Sequence, residues 1–171
     1  QPVKPASTKS DASPIPPAGS ASDAIAVSGL SYRYDDGDAP VFENLSLRVA
    51  EGEIVALMGA NGAGKTTLAR LLCALDRPSA GSITVAGLPV ASSKHGKRPR
   101  ALTRKERAAL RRNVGYVMQH PERQLFADTV AEDVAYGPRN QHLSELEVAT
   151  RVEEALRMLH IEHLADRYPL S

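Results

Sequence analysis

Apolar residues along this chain recur with two different periods, and the change of period divides it. From Ala24 the alternation is that of a strand: Ile25 and Val27, then Leu30, Tyr32 and Tyr34 after a break at Ser28-Gly29. Asp35-Asp36-Gly37-Asp38 reads as a turn, and Val41–Val49 as a second strand with Leu45, Leu47 and Val49 on one face. The continuous run Ile54–Met58 predicts a buried strand, followed from Thr67 by a helix that Pro78 stops near Asp76. Ile83 and Val85, behind an Ala80-Gly81 turn, predict one more short strand, and Val114–Met118 predicts another buried one. Beyond His120 the period becomes helical.

Three Thr/Ser-x-x-Glu boxes mark helix starts: Thr103 with Glu106, Thr129 with Glu132, and Ser144 with Glu147. The first predicts a short exposed helix over 104–112. The second predicts one stopped by Gly137-Pro138. The third opens the longest helix, with Leu146, Ala149, Val152, Ala155, Leu156 and Leu159 as its buried stripe. Glu147 with Arg151, and Glu153 with Arg157, are i,i+4 pairs for its wet face. Ahead of all this, residues 1–23 are rich in Pro, Ser, Ala and Lys, with only Val3 and Ile15 as large apolar residues. Such a stretch buries too little surface to offset its ordering entropy and is expected to be a disordered tail. It also lacks the apolar centre of a signal peptide.

Composition changes this picture little. The 171 residues are 42% hydrophobic, enough for one domain-sized core, and the formal net charge is +1. No global field argues for nucleic acid or an anionic membrane. The basic stretch Ser92–Arg100 has no interleaved aromatic residue and is read as a solvated loop leading to a solvated helix face. A lone cysteine, Cys73, excludes an internal disulfide and suits a reducing compartment. No apolar run approaches the roughly 18 residues needed to span a bilayer.

The chemistry concentrates between the two periods. Gly59-Ala60-Asn61-Gly62-Ala63-Gly64-Lys65-Thr66-Thr67 fits the phosphate-loop template G-x-x-x-x-G-K-S/T, and it stands between a predicted strand and a predicted helix. Glycines let backbone N–H groups crowd a phosphate without Cβ clashes. The helix start adds unpaired N–H groups and the positive end of its dipole. Lys65 would sit on the β- and γ-phosphates, and the Thr66 hydroxyl would hold Mg²⁺.

With these residues in view, the chain from Ala24 to its C-terminus resembles the nucleotide-binding subunit of an ABC transporter. The loop has the family's form, with its extra Gly62 and second Thr67. Tyr34 matches the aromatic residue, on a strand before the loop, that stacks on adenine. Gln119, at a strand end, matches the Q-loop glutamine, which reaches Mg²⁺ and the attacking water and senses the membrane subunit. Tyr168-Pro169-Leu170-Ser171 resembles the lead-in to the signature Leu-Ser-Gly-Gly-Gln. Within the family, the run from Gln119-His120-Pro121-Glu122-Arg123-Gln124-Leu125-Phe126 to Thr129–Pro138 is similar to the ATPases of energy-coupling factor importers, which take up vitamins and transition-metal ions.

The resemblance implies an α/β P-loop NTPase core of RecA-like type, incomplete here, with an N-terminal antiparallel β subdomain and an α-helical subdomain. It places a partial ATPase domain at 24–171, divided into 24–118 (β subdomain and P-loop core) and 119–171 (Q-loop and helical subdomain). ATP and Mg²⁺ are the implied ligands. Tyr34, Gly59, Asn61, Gly62, Ala63, Gly64, Lys65, Thr66 and Thr67 are the implied nucleotide contacts, Thr66 and Gln119 the metal contacts, and Gln119 the catalytic residue. The implied partners are a transmembrane coupling subunit, a second ATPase subunit (identical or sister) and a substrate-binding membrane subunit, at the cytoplasmic face of the membrane. No nucleic acid is expected.

The family's strand ending in Asp-Glu, its switch histidine and the rest of its signature find no match in these residues. The chain by itself is therefore expected to bind nucleotide weakly or not at all, to lack turnover, and to show exposed sheet edges and apolar faces. A soluble ABC-type ATPase working on nucleic acid or ribosomes, and a non-catalytic fragment, remain alternative readings.

Overall fold

A computed structural model describes residues 23–34, 39–93 and 98–170. The tail over 1–22, the turn at 35–38 and the centre of the basic stretch lie outside the described residues. Those described fall into two compact units, one ending at Leu110 and one beginning at Arg111.

The first unit is built on a four-stranded sheet. Strands β1 (Asp23–Tyr32), β2 (Phe42–Ala50), β3 (Ala80–Val85) and β4 (Leu88–Ser92) pair in the order β2-β1-β3-β4, every neighbour antiparallel. β1 runs unbroken through Ser28-Gly29. The expected break is instead an irregularity in register between Val27 and Leu30, where Gly29 takes φ +59° and donates its N–H to Ser46 Oγ at 3.0 Å. Facing it, Gly81 has φ +93°, and a Cβ there would stand 2.5 Å from Gly29 O. Backbone meets backbone at that crossing, so only glycine fits.

β4 was not expected from the sequence. It returns from β3 through Ala86-Gly87, both at positive φ (48° and 71°), the two-residue turn whose twist suits a hairpin. Helix α1 (Lys65–Leu72) lays Leu68 and Leu71 on this layer, where they join Val27, Leu30, Ile83 and Val85 as buried core. It ends four residues before the predicted Asp76. Ala74 reverses the chain at φ +55°, and the Asp76 carboxylate binds Arg70 at 2.7 and 2.9 Å. Helix α2 (Arg104–Asn113) buries Leu110 alone. Its Thr103–Glu106 box is formed: Glu106 accepts from Thr103 N–H at 2.8 Å, and Thr103 Oγ1 accepts from Glu106 N–H at 3.3 Å.

In the second unit, α3 (Val130–Asn140) packs against α4 (Glu145–Met158). Thr129 caps α3 by accepting from Glu132 N–H at 3.2 Å. The helix continues through Gly137-Pro138 rather than stopping there. In the last turn Pro138 removes one N–H and little else, and the end is set by Gln141, whose N–H returns to Gly137 O and Pro138 O. Both halves of the Ser144–Glu147 capping box are present on α4. The predicted stripe of α4 is corrected. Val148 and Leu156 are buried, with Val152 and Ala155 between them half-buried, whereas Leu146 (79% exposed), Ala149 and Leu159 face outward. α4 packs on α3 and the turn Glu162–Leu164, so it needs a narrower face than the sequence pattern offers.

Two expectations of buried strands fail. Ile54–Met58 and Val114–Met118 have no regular secondary structure, and Ile54 and Met58 are 98% and 87% exposed. A strand is held by ladder partners on its edges and apolar cover on its faces. Among the described residues neither segment has a strand beside it. Both segments expose apolar side chains, Ile54, Met58 and Val117 among them. No helix among the described residues is long and apolar enough to cross a membrane.

Candidate nucleotide site

The phosphate loop lies between the apolar segment 54–58 and α1. Its geometry is set by one residue above all. Gly64 is the N-cap of α1 in the left-handed region, φ +86°, and a Cβ there would come within 2.8 Å of Val41 Cγ1 and Phe42 Cζ. A side chain at this position would push the start of the helix off β2's leading edge. Glycine also brings no side-chain acceptor to the cap, and the first turn holds no acidic residue. The first-turn N–H groups and the dipole end are thus left for an anion.

Lys65 bears this out electrostatically. Its Nζ donates to Gly59 O at 2.7 Å and Ala60 O at 2.8 Å, folding the side chain back over the loop's own carbonyls. Both bonds can be exchanged for phosphate oxygens without burying the charge unpaired. The loop is pinned by the Ala63 N–H bond to Ala60 O at 3.2 Å, and Leu68 N–H bonds Gly64 O at 2.8 Å. Asn61, Gly62 and Ala63 form its exposed crest, and the Thr66 side chain is exposed beside it. These features fit a nucleotide phosphate with its metal: uncapped N–H groups at a helix start, a cation over the loop and an exposed hydroxyl.

Tyr34 is brought to the same place. It lies two residues beyond the end of β1 rather than within the strand. Its hydroxyl hydrogen-bonds Thr67 Oγ1 at 2.7 Å, and Thr67 is 5% exposed. Tyr32 stacks edge-on against the ring, centroids 5.0 Å apart at 85°. The ring is therefore held from its tip and one side, with about half its surface open. Cys73, at the far end of α1, has its thiol pKa raised by burial and stays protonated at neutral pH.

Gln119 belongs to the second unit. It is exposed and stands two residues ahead of the turn Pro121–Gln124, in which Arg123 N–H bonds His120 O at 3.1 Å. Sequence reasoning missed what fixes this turn. The Gln124 carboxamide accepts from Met118 N–H at 3.0 Å and donates to Tyr116 O at 3.2 Å. No sequence pattern signals a side chain reaching back six and eight residues. Asp133 Oδ1, from α3, accepts from the N–H groups of Phe126 and Ala127 at 3.3 Å each.

A glycine-rich turn into a capless helix, with a lysine over the turn, defines a phosphate-binding protein of the P-loop NTPase class. Residues 42–171 match the ABC transporter family, and the chain belongs to it. The sheet-plus-helices architecture is that of an ABC ATPase cassette. The chain is 65% identical over 150 residues to a putative ABC transporter ATP-binding protein of Bifidobacterium longum, covering 86% of this chain and 19% of that one. It is 39% identical over 140 residues to an energy-coupling factor transporter ATP-binding protein, EcfA, of Methanocaldococcus jannaschii, covering 82% and 46%. Among solved structures, CbiO1 from Clostridium perfringens, part of an ABC transporter complex CbiONQ, superposes with TM-score 0.69 at 34% identity, covering 85% of this chain and 54% of that one. The chain spans about half the length, or less, of the relatives it matches.

Proposed function

We propose that this chain is the nucleotide-holding part of the ATPase subunit of an importer of the energy-coupling factor type. The observation that carries the proposal is Lys65, held on two carbonyls of a loop whose helix start is left uncapped and free of acid. When ATP arrives, Lys65 exchanges those carbonyls for β- and γ-phosphate oxygens. The N–H groups at the start of α1 take further oxygens, and Gly59–Gly64 close around them. Tyr34 stacks on adenine with the open half of its ring, already oriented by Thr67 and Tyr32. Mg²⁺ would be held on the Thr66 hydroxyl, where it would neutralise charge developing on the transferred phosphoryl group.

In this reading Gln119 positions the attacking water and reports the nucleotide state to a transmembrane coupling subunit. Two ATPase subunits pair across two nucleotides, and a separate membrane subunit binds the vitamin or metal ion carried. The chain then works at the cytoplasmic face of the membrane. The similarity to EcfA and to a component of a CbiONQ complex supports the importer type. The test is reconstitution of the intact protein with its membrane partner in proteoliposomes. ATP-driven uptake lost in Lys65→Ala is the expected result. RNase-sensitive association with ribosomes, and no polytopic membrane partner on purification, would overturn the reading.

A further inference from the structure

The carboxamide of Gln124 does something unusual for a turn residue. It accepts from Met118 N–H and donates to Tyr116 O, at 3.0 and 3.2 Å. These are the N–H of one residue and the C=O of the residue two before it, which a strand presents on one edge to its neighbour. A primary amide carries the same donor and acceptor as a peptide group. Gln124 therefore stands in for one residue of an adjoining strand. Segment 116–118 has no strand beside it among the described residues, so this side chain is a substitute ladder.

The consequence falls on the residues in between. The chain leaves Met118, passes Gln119 and His120, turns at Pro121–Gln124, and is sewn back to its starting point by Gln124. Gln119 sits directly beyond the clamped residue. Downstream, Asp133 of α3 ties Phe126 and Ala127 by their N–H groups. The stretch from Met118 through Gln119 to this turn is thus fastened on both sides. We propose that Gln124 is a positioning residue for Gln119. Its carboxamide fixes the direction in which the chain exits Met118, and so the place from which Gln119 acts. The inference rests on the role given to Gln119 above, while the clamp itself can be tested without it.

Amide hydrogen exchange in the full chain reads the clamp. Losing one hydrogen bond of ordinary strength corresponds to about two- to twelvefold faster exchange. Gln124→Leu is expected to accelerate Met118 N–H by that factor and to leave Leu68 N–H, in α1, unchanged. Gln124→Glu supplies a signature that lost packing cannot imitate. A protonated carboxyl donates and accepts like the amide, whereas a carboxylate only accepts and repels Tyr116 O. Met118 protection, relative to the parent at each pH, should therefore match the parent well below the usual Glu pKa of about 4.3 and drop near neutrality as the carboxylate is pushed from Tyr116 O, yet stay above that of Gln124→Leu because the carboxylate still accepts Met118 N–H.

In the intact protein Gln124→Leu should lower kcat for ATP and leave KM unchanged, because Lys65 and Tyr34 are untouched. Met118 exchange equal in Gln124→Leu and parent would overturn the clamp. Faster exchange with unchanged kcat would overturn the positioning role. A parent that hydrolyses no ATP would contradict the functional reading and leave the clamp to be judged by exchange alone.

Discussion

Replacing Tyr34 separates two contributions that the structure holds in one side chain. The hydroxyl bonds Thr67 Oγ1 at 2.7 Å, and the ring leaves about half its surface open beside the phosphate loop. The hydroxyl bond exists before nucleotide arrives, so it largely cancels from the binding free energy. Its net worth to the fold is about 0.5–1.5 kcal/mol. The ring contributes only when a base covers it, and stacking of a base on an aromatic side chain is worth about 1–3 kcal/mol. Tyr34→Phe should therefore leave the ATP dissociation constant within about threefold of the parent while lowering stability slightly. Tyr34→Ala should weaken ATP by about 5- to 150-fold. Titration of a fluorescent ATP analogue in the intact protein, alongside urea unfolding of each variant, measures both. The reasoning fails if Phe weakens binding as much as Ala, because the hydroxyl would then be the contact. It fails equally if Ala binds as the parent does.

Other expectations concern the fold. Gly81→Ala places a Cβ 2.5 Å from Gly29 O at a φ of +93°. Left-handed backbone and overpacking together predict a loss of about 2–5 kcal/mol, seen as a lower urea midpoint, and an unchanged midpoint would show that β1 and β3 can separate freely. Glu106 is held at a pKa of about 2, first by Arg100, at 2.5 and 2.8 Å, and then by Thr103. A depressed carboxyl stabilises the fold fully above its unfolded value near 4.5, and that contribution is lost as the pH falls towards about 2. Glu106→Gln should flatten the pH dependence of unfolding in that window. Parent and variant falling in parallel would assign the acid sensitivity elsewhere.

What the sequence disclosed and what it hid divide by range. The phosphate loop and the Ser144–Glu147 box were legible because each is a local chemical pattern: φ-permissive glycines in one, a side chain three residues from its partner in the other. β1 and β2 were legible because alternation is local too. β4 escaped notice because Pro89 interrupts its pattern and its turn is only Ala86-Gly87. The stripe on α4 was misassigned because which apolar residues of a helix are covered depends on its neighbours. Leu146 and Leu159 satisfy the period yet remain largely exposed among the described residues. Burial of Ile54–Met58 failed for the same reason, since an apolar run becomes a strand only when another strand lies beside it. Gln124 lies in the sequence pattern around Gln119, yet its role depends on a turn closing by a side chain, which no periodicity reports.

The central claim is that Lys65 holds ATP phosphates in place of the carbonyls of Gly59 and Ala60. The most direct measurement is calorimetric titration of the intact protein with Mg-ATP and with adenosine, for the parent and for Lys65→Ala. Charge-assisted bonds of about 1.5–3 kcal/mol each, less the two carbonyl bonds given up, predict that Lys65→Ala weakens ATP by about ten- to several-hundredfold. Adenosine, which has no phosphate, should bind both proteins alike. Equal ATP affinity in the two proteins, or an equal loss for adenosine, would contradict the account.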